Sequence, residues 1–463
     1  MMNRREFTTK TSAILAASAL LPGFLKAAPT AKKRLAMVGT GVRGITFWGK
    51  NVIDNYKDHV EFVGLCDINP GRVAFAKKYM GVSCLTFTNF EEMVNKVKPD
   101  IVIVTTVDAT HHEYIIKALD MGLEVMTEKP MTTDEDKCKA ILAAEKRAGK
   151  KVIVGFNYRY GTLFSAIKKQ LAEKAVGEVV SVDFNWYLNV YHGADYFRRW
   201  HAYKEKGGTL LVHKSTHHFD LLNWLLDSDP VEVMAYGSLD HYGKNGKLRS
   251  THCRPCPFKT ECKFYNDITK DQFNMDLYVA NEKYDGYLRD ACVFREDINI
   301  YDKMSVQVRY ANGVLVNYSL TTYSPYEGWR IAFNGKEGRL DSSEGIPWES
   351  EAINQELLHA KEFSQNKSAE PEYYDQIYIN KNFDKYQHIK VPVTKAGHGG
   401  GDARLLDKIF KDSNAPDPYR HAAGTRDGAM SILVGIAARK SIEEHRIVKI
   451  SELTDISLMA KRP

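Results

Sequence analysis

The first residues whose types and spacing could do chemistry are Gly39-Thr40-Gly41-Val42-Arg43-Gly44, which follow the apolar run Leu35-Ala36-Met37-Val38 and open an amphipathic segment. Glycine at the first position permits a tight turn. At the second it lets the backbone approach a ligand, and at the third it lets a helix pack closely on a strand. The amino terminus of that helix offers free N–H groups and positive dipole to an anion. The next apolar run, Val60 to Cys66, ends at Asp67, a carboxylate that can accept both hydroxyls of a ribose and would repel a 2′-phosphate. Strand, glycine turn, helix and acid in this order predict a bound dinucleotide, NAD in preference to NADP, although Arg72 lies close by.

A second group is Glu128-Lys129-Pro130, just past the apolar run Glu124 to Thr127. This is the carboxyl edge of the predicted sheet, where open α/β folds place ligands. A lysine there faces the nicotinamide. Shielded from water beside a cationic ring it loses its proton more readily, which suits a group that takes a hydroxyl proton. A third group is His213, Lys214, His217 and His218. On a helix, 213 and 217, or 214 and 218, share a face, and we expect Lys214 and His217 to turn toward a substrate. His213 and His217 also have metal-ligand spacing, but no third ligand lies near in sequence.

Cys253, Cys256 and Cys262, with Cys292 further on, form a CxxC followed by two more thiols. They predict either a structural zinc site or one or two disulfides, with nothing to choose between them. Tyr191, Arg198, Arg199, Trp200 and His201 mix rings and cations in a way that suits a sugar, and Gly397-His398-Gly399-Gly400-Gly401-Asp402 would allow backbone to approach a ligand.

The elements that must position these groups are legible by period. Apolar runs at Val60 to Cys66, Asp100 to Thr105, Glu124 to Thr127 and Val152 to Phe156 alternate with helical segments, such as the one between Pro130 and Gly149. Alternation of this kind predicts an α/β, doubly wound parallel sheet of Rossmann type. Near residue 180 the grammar changes. Val180, Val182, Phe184, Trp186 and Leu188 alternate with polar residues, and further strands are expected at Val231 to Leu239 and Met304 to Leu320, the latter folded at a type I′ turn on Asn312-Gly313. The second half is therefore read as α+β with a large, open-faced, mostly antiparallel sheet. The expected domains are 33–156 and 157–463, with a cysteine-containing insertion near 240–295 and an irregular excursion from Glu349 to Ile389.

These motifs, with Cys66-Asp67, Thr106-Val107-Asp108-Ala109-Thr110-His111, Gly155-Phe156-Asn157-Tyr158-Arg159 and Gly207-Gly208 through His217-His218-Phe219-Asp220, resemble in order those of the glucose-fructose oxidoreductase and inositol dehydrogenase family, Gfo/Idh/MocA. The resemblance runs from residue 34 to about 345. It implies nucleotide contacts from Thr106, His111, Glu128, Lys129 and Asn157, with Lys129 and His217 nearest the reacting carbon. Two positions depart from the family: Val107 replaces a usual proline, and His213 stands where dehydrogenases commonly carry an aspartate, so a relay through aspartate and histidine is not supported by the sequence.

The first residues, Asn3-Arg4-Arg5-Glu6-Phe7, then an apolar stretch from Ile14 to Leu25 and the small Ala27 and Ala28, read as a twin-arginine export signal over residues 1–28 and a periplasmic address. No stretch is long enough for a stable membrane span. Without the leader the chain has 60 basic and 57 acidic residues, a balance that does not suggest nucleic acid. The expected function is an NAD-dependent oxidoreductase acting on a sugar or polyol, with a tightly held cofactor recycled internally; a homo-oligomer is expected. An NAD-dependent glycosidase is the alternative, since the Gly-His-Gly-Gly string resembles one in such enzymes. A non-enzymatic sugar-binding protein is a second.

Overall fold

The computed structural model describes residues 31–348, 374–393 and 397–462. The expected export signal lies outside the described residues.

The first sheet is parallel and six-stranded: β1 (Lys33–Val38), β2 (Val60–Cys66), β3 (Leu85–Phe87), β4 (Ile101–Val104), β5 (Glu124–Thr127) and β6 (Val152–Val154), in the order β3-β2-β1-β4-β5-β6. The order reverses between β1 and β4, so their carboxyl ends open a crevice at that point. β4 is buried along its whole length, as a central parallel strand covered on both faces must be. β3 was not expected, because Leu85-Thr86-Phe87 is interrupted by a polar residue and its first two residues are exposed, so it does not read as a buried apolar run.

The second sheet has nine strands: β7 (Val179–Asn189), β8 (Pro230–Ser238), β9 (Lys303–Tyr310), β10 (Leu315–Ser324), β11 (Gly328–Gly335), β12 (Gly338–Glu344), β13 (Tyr374–Lys381), β14 (Gln387–Pro392) and β15 (Val448–Lys449). Its order is β14-β13-β12-β11-β7-β10-β9-β8-β15, and only β7 and β10 pair in parallel. β9 alternates exposed and buried along its length, so one face is wet. The other packs on the helices Ser215–Leu225 and Thr425–Glu444.

Two local expectations are corrected. Between β9 and β10 only Gly313 enters the left-handed region, at φ 86; Gly313 N–H donates to Tyr310 O at 2.9 Å and Tyr310 N–H to Val314 O at 2.9 Å. The loop is thus three residues with a terminal left-handed glycine, not type I′, and Asn312 instead caps the turn through Val314 N–H at 3.2 Å. The excursion expected from Glu349 to Ile389 includes β13, whose Ile377 and Ile379 are buried, and the first half of β14.

The cysteine-bearing insertion holds short turns and helices. All seven cysteines are free thiols, and no cluster of three or more metal-ligating side chains occurs among the described residues, so both the zinc and the disulfide expectations for Cys253, Cys256, Cys262 and Cys292 are corrected. The insertion is stapled ionically instead. Arg254 reaches Asp290 Oδ1 at 3.0 Å and Glu282 Oε1 at 2.5 Å, while Arg198 Nη1 donates to Cys253 Sγ at 3.1 Å and its other nitrogen to the Phe264 carbonyl.

Candidate active site

Gly39 adopts φ +89, and a Cβ there would lie 2.5 Å from the Thr105 carbonyl carbon. Only glycine lets the turn after β1 nest against the end of β4. A Cβ at Gly44 would meet Gly39 O at 2.6 Å, which is the close helix-to-strand approach its position demands. Asp67 closes the end of β2. Its Oδ2 accepts Thr40 N–H at 2.7 Å and Thr40 Oγ1 at 3.0 Å; its Oδ1 takes Asn69 N–H at 2.9 Å and Arg72 Nη2 at 3.3 Å.

From this turn one cavity of about 940 Å³ runs between the domains. Gly39, Gly41, Val42, Arg43, Asp67, Thr106, His111, Glu128 and Lys129 line one part, and His213, Lys214 and His217 the other. Thr40, Gly44 and Asn157 stand behind the wall. His111 bridges two loops, with Nδ1 2.8 Å from Pro130 O and Nε2 3.1 Å from Thr106 O. Glu128 Oε1 holds Arg43 Nε at 2.6 Å and Trp48 Nε1 at 2.9 Å. Asn157 Nδ2 donates to Asp402 Oδ1 at 2.6 Å, leaving its Oδ1 buried and without a partner among the described residues.

Lys129 precedes a cis proline and its Nζ donates to His213 O at 3.3 Å. Burial pushes its ammonium down to about 8, a fall that Glu128 and Asp108 resist and Lys214 assists. The histidine helix is interrupted at Lys214, between Leu210–His213 and Ser215–Leu225. His213, Lys214 and His217 all line the cavity; at about 100° per residue 217 falls between 213 and 214, so the three share one side of the segment. His218 turns away, stacking on Trp186 at 4.0 Å and meeting Tyr318 Oη at 2.7 Å. Lys214 Nζ lies 5.4 Å from the Trp186 ring centre, and the His217 ring packs 4.5 Å from Tyr158. Burial, with the cations of Lys129 and Lys214, holds His217 well below the usual histidine range, and its buried Nδ1 has no partner among the described residues.

Sequence reading missed Asp108. Its Oδ2 lies 2.5 Å from His213 Nδ1, so the loop after β4 sets a buried acid against that histidine. Burial raises Asp108 and lowers His213. The only signal was an acid inside the Thr106–His111 segment. Of the aromatic and basic group, Arg199, Trp200 and His201 line the cavity; Tyr191 is exposed and Arg198 serves the insertion. The glycine string contributes too: Gly397, His398 and Asp402 line the wall, with His398 Nδ1 3.0 Å from Asp402 Oδ2. Burial alone would raise Asp402, but His398, Arg43 and the Asn157 amide hold it at about 2.

Residues 33–156 match the profile described as an oxidoreductase family, NAD-binding Rossmann fold, and residues 168–450 match that family's C-terminal alpha/beta domain. The chain belongs to the Gfo/Idh/MocA oxidoreductase family. Within the family it is 36% identical over 438 residues to the Bacillus subtilis (strain 168) protein YteT, covering 91% of this chain and 98% of that one. It is 22% identical over 243 residues to the inositol 2-dehydrogenase/D-chiro-inositol 3-dehydrogenase of Lactiplantibacillus plantarum, covering 51% of this chain and 67% of that one. The fold matches the WlbA dehydrogenase of Chromobacterium violaceum, solved with NADH and UDP-GlcNAcA, with a TM-score of 0.60 at 20% identity over 90% of this chain and 96% of that one.

The site's glycine turn, buried acid and open groove fit the dinucleotide that the Gfo/Idh/MocA Rossmann domain implies. Gly39, Gly41 and Asp67 would hold its pyrophosphate and ribose.

Proposed function

We propose that the protein is an NAD-dependent oxidoreductase that oxidises a CH–OH group of a sugar or polyol. The observation that carries this reading is the single cavity joining the glycine turn to Lys129, Lys214 and the Asp108–His213 pair. Bound NAD would supply the hydride acceptor. Lys129, lowered to about 8, takes the hydroxyl proton; Lys214 and His217 orient the hydroxyls, and Asp108 with His213 passes the proton away from the lysine. Arg72 is already paired with two carboxylates, Asp67 and Asp285, which favours NAD over NADP. Arg199 and Trp200 supply a cation and a ring face suited to a carbohydrate.

The leader sequence supports export by the twin-arginine pathway to the periplasm, where a retained cofactor would be returned to its starting redox state by a second, carbonyl substrate. Exposed Tyr236 and Leu315 on the wet face of the second sheet support a homo-oligomer. Purified protein incubated with NAD and a panel of free sugars and polyols is expected to generate NADH fluorescence with at least one; none with any, with nucleotide bound, would overturn the dehydrogenase reading.

One observation favours the NAD-dependent glycosidase as a second reading: the His398–Asp402 pair is a further acid–base couple on the same cavity wall. Release of aryl leaving groups without net NADH formation would select it.

A further inference from the structure

The segment from Gln272 to Tyr287 belongs to the cysteine-bearing insertion, yet it meets the first domain at several places around the glycine turn. Val42 N–H donates to Tyr278 Oη at 2.9 Å. Asn69 Nδ2 donates to Asn281 O at 3.0 Å. Arg72 Nη2 pairs with Asp285 Oδ2 at 2.5 Å while also touching Asp67. Phe273 packs edge-on against Phe75 and Tyr79, with centroids 5.7 and 5.1 Å apart. Leu277 is fully buried within the core of the first domain. The fit is close enough that a Cβ on Gly71 would fall 1.7 Å from Asn281 Oδ1.

Among the residues of this segment, Tyr278, Asp285 and Tyr287 line the same cavity as Gly41 and Asp67. The Val42 amide is one of the N–H groups that a glycine turn offers to a pyrophosphate. Here Tyr278 takes that donor. Its own O–H is accepted by no described residue and lies beside the same space, so the tyrosine can return a donor to a phosphate oxygen. Resting on the reading that the groove takes NAD, we infer that residues 272–287 form a strap across the bound dinucleotide. Tyr278 donates to the pyrophosphate, Asp285 with Arg72 fastens the ribose end, and nucleotide release requires the strap to lift. For a nucleotide to leave, the tyrosine, asparagine, ion-pair and aromatic contacts must open together, and Leu277 must leave the core, so exchange is slow relative to an unstrapped groove.

The test uses the full chain loaded with NAD, freed of excess nucleotide by desalting, and sampled over time by denaturation and mass spectrometry of what remains bound. Tyr278→Phe is expected to release NAD about tenfold faster, as loss of one hydrogen bond to a charged group implies, and Tyr278→Phe combined with Asp285→Asn faster still. In the wild type, amide hydrogens of 272–287 are expected to exchange more slowly once NAD is added. Release at the wild-type rate from both variants, or exchange in the strap unchanged by NAD, overturns the strap alone. A wild type that takes up no NAD overturns it together with the reading it rests on.

Discussion

In the proposed reaction Lys129 can serve as the base only because it is buried. An amine pushed down to about 8 from 10.5 is a base near neutral pH, and the same burial penalises the folded protein whenever the amine is protonated. With the folded value depressed, that penalty is full below about 8, fades as pH rises and is gone above 10.5. Lys129→Met is therefore expected to lower kcat by about 10²- to 10⁴-fold. The same change should raise Tm at pH 7, a gain that shrinks as pH climbs; scanning calorimetry across pH reads it. Wild-type kcat/KM should rise with pH through an apparent value near 8. Asp108 pulls that value upward by its charge. Asp108→Asn should move the limb to lower pH while lowering kcat, and a pH profile with an unmoved limb would remove Asp108 from the relay.

At the scale of elements, the site depends on how closely the helix Thr425–Glu444 lies under the segment that bears the histidines. A Cβ on Gly435 would fall 2.2 Å from Leu211 O, so backbone meets backbone there and fixes His213 and Lys214 against the cavity. Gly435→Ala is expected to lose about 1 to 3 kcal/mol of stability, from overpacking, and to lower kcat by displacing His213; urea unfolding and steady-state rates measure the two. Arg159 ties three elements at one point. It meets Asp220 Oδ1 at 2.5 Å and Asp427 Oδ1 at 2.9 Å, joining the turn after β6 to the helices Ser215–Leu225 and Thr425–Glu444. Removing one partner strands a buried charge, so Arg159→Met should lose about 3 to 5 kcal/mol by urea unfolding.

For the whole molecule, the dinucleotide groove is walled by both domains, so a ligand that binds there stabilises their packing. NAD at a hundredfold excess over Kd should add about 2.7 kcal/mol to folding, visible as a rise in Tm. NADP is expected to give a much smaller rise, because Asp67 and Asp285 both face the ribose end and Arg72 is held between them. Equal shifts from both nucleotides would mean that Arg72 turns to take the 2′-phosphate. Among the described residues no helix is long and apolar enough to cross a membrane.

What the chain's sequence by itself determined is what local period and turn chemistry encode. The apolar runs and their separating helices specify the parallel sheet; the glycines of 39–44 and Asp67 specify the turn and acid; Lys129 follows from its place at a strand's end. The alternation of β7 announces the second sheet, although the hairpin at β13 and β14 went unread inside a polar stretch, and the turn at Asn312 took three residues because that side chain caps it. Only the tertiary structure decided the rest. Asp108 meets His213 across 105 residues of sequence and Tyr278 meets Val42 across 236. No local pattern carries a partner's address over such distances. The cysteines make the same point in reverse: their spacing suits a metal or a disulfide, yet all seven are free thiols, because a thiol's role is set by what folds beside it.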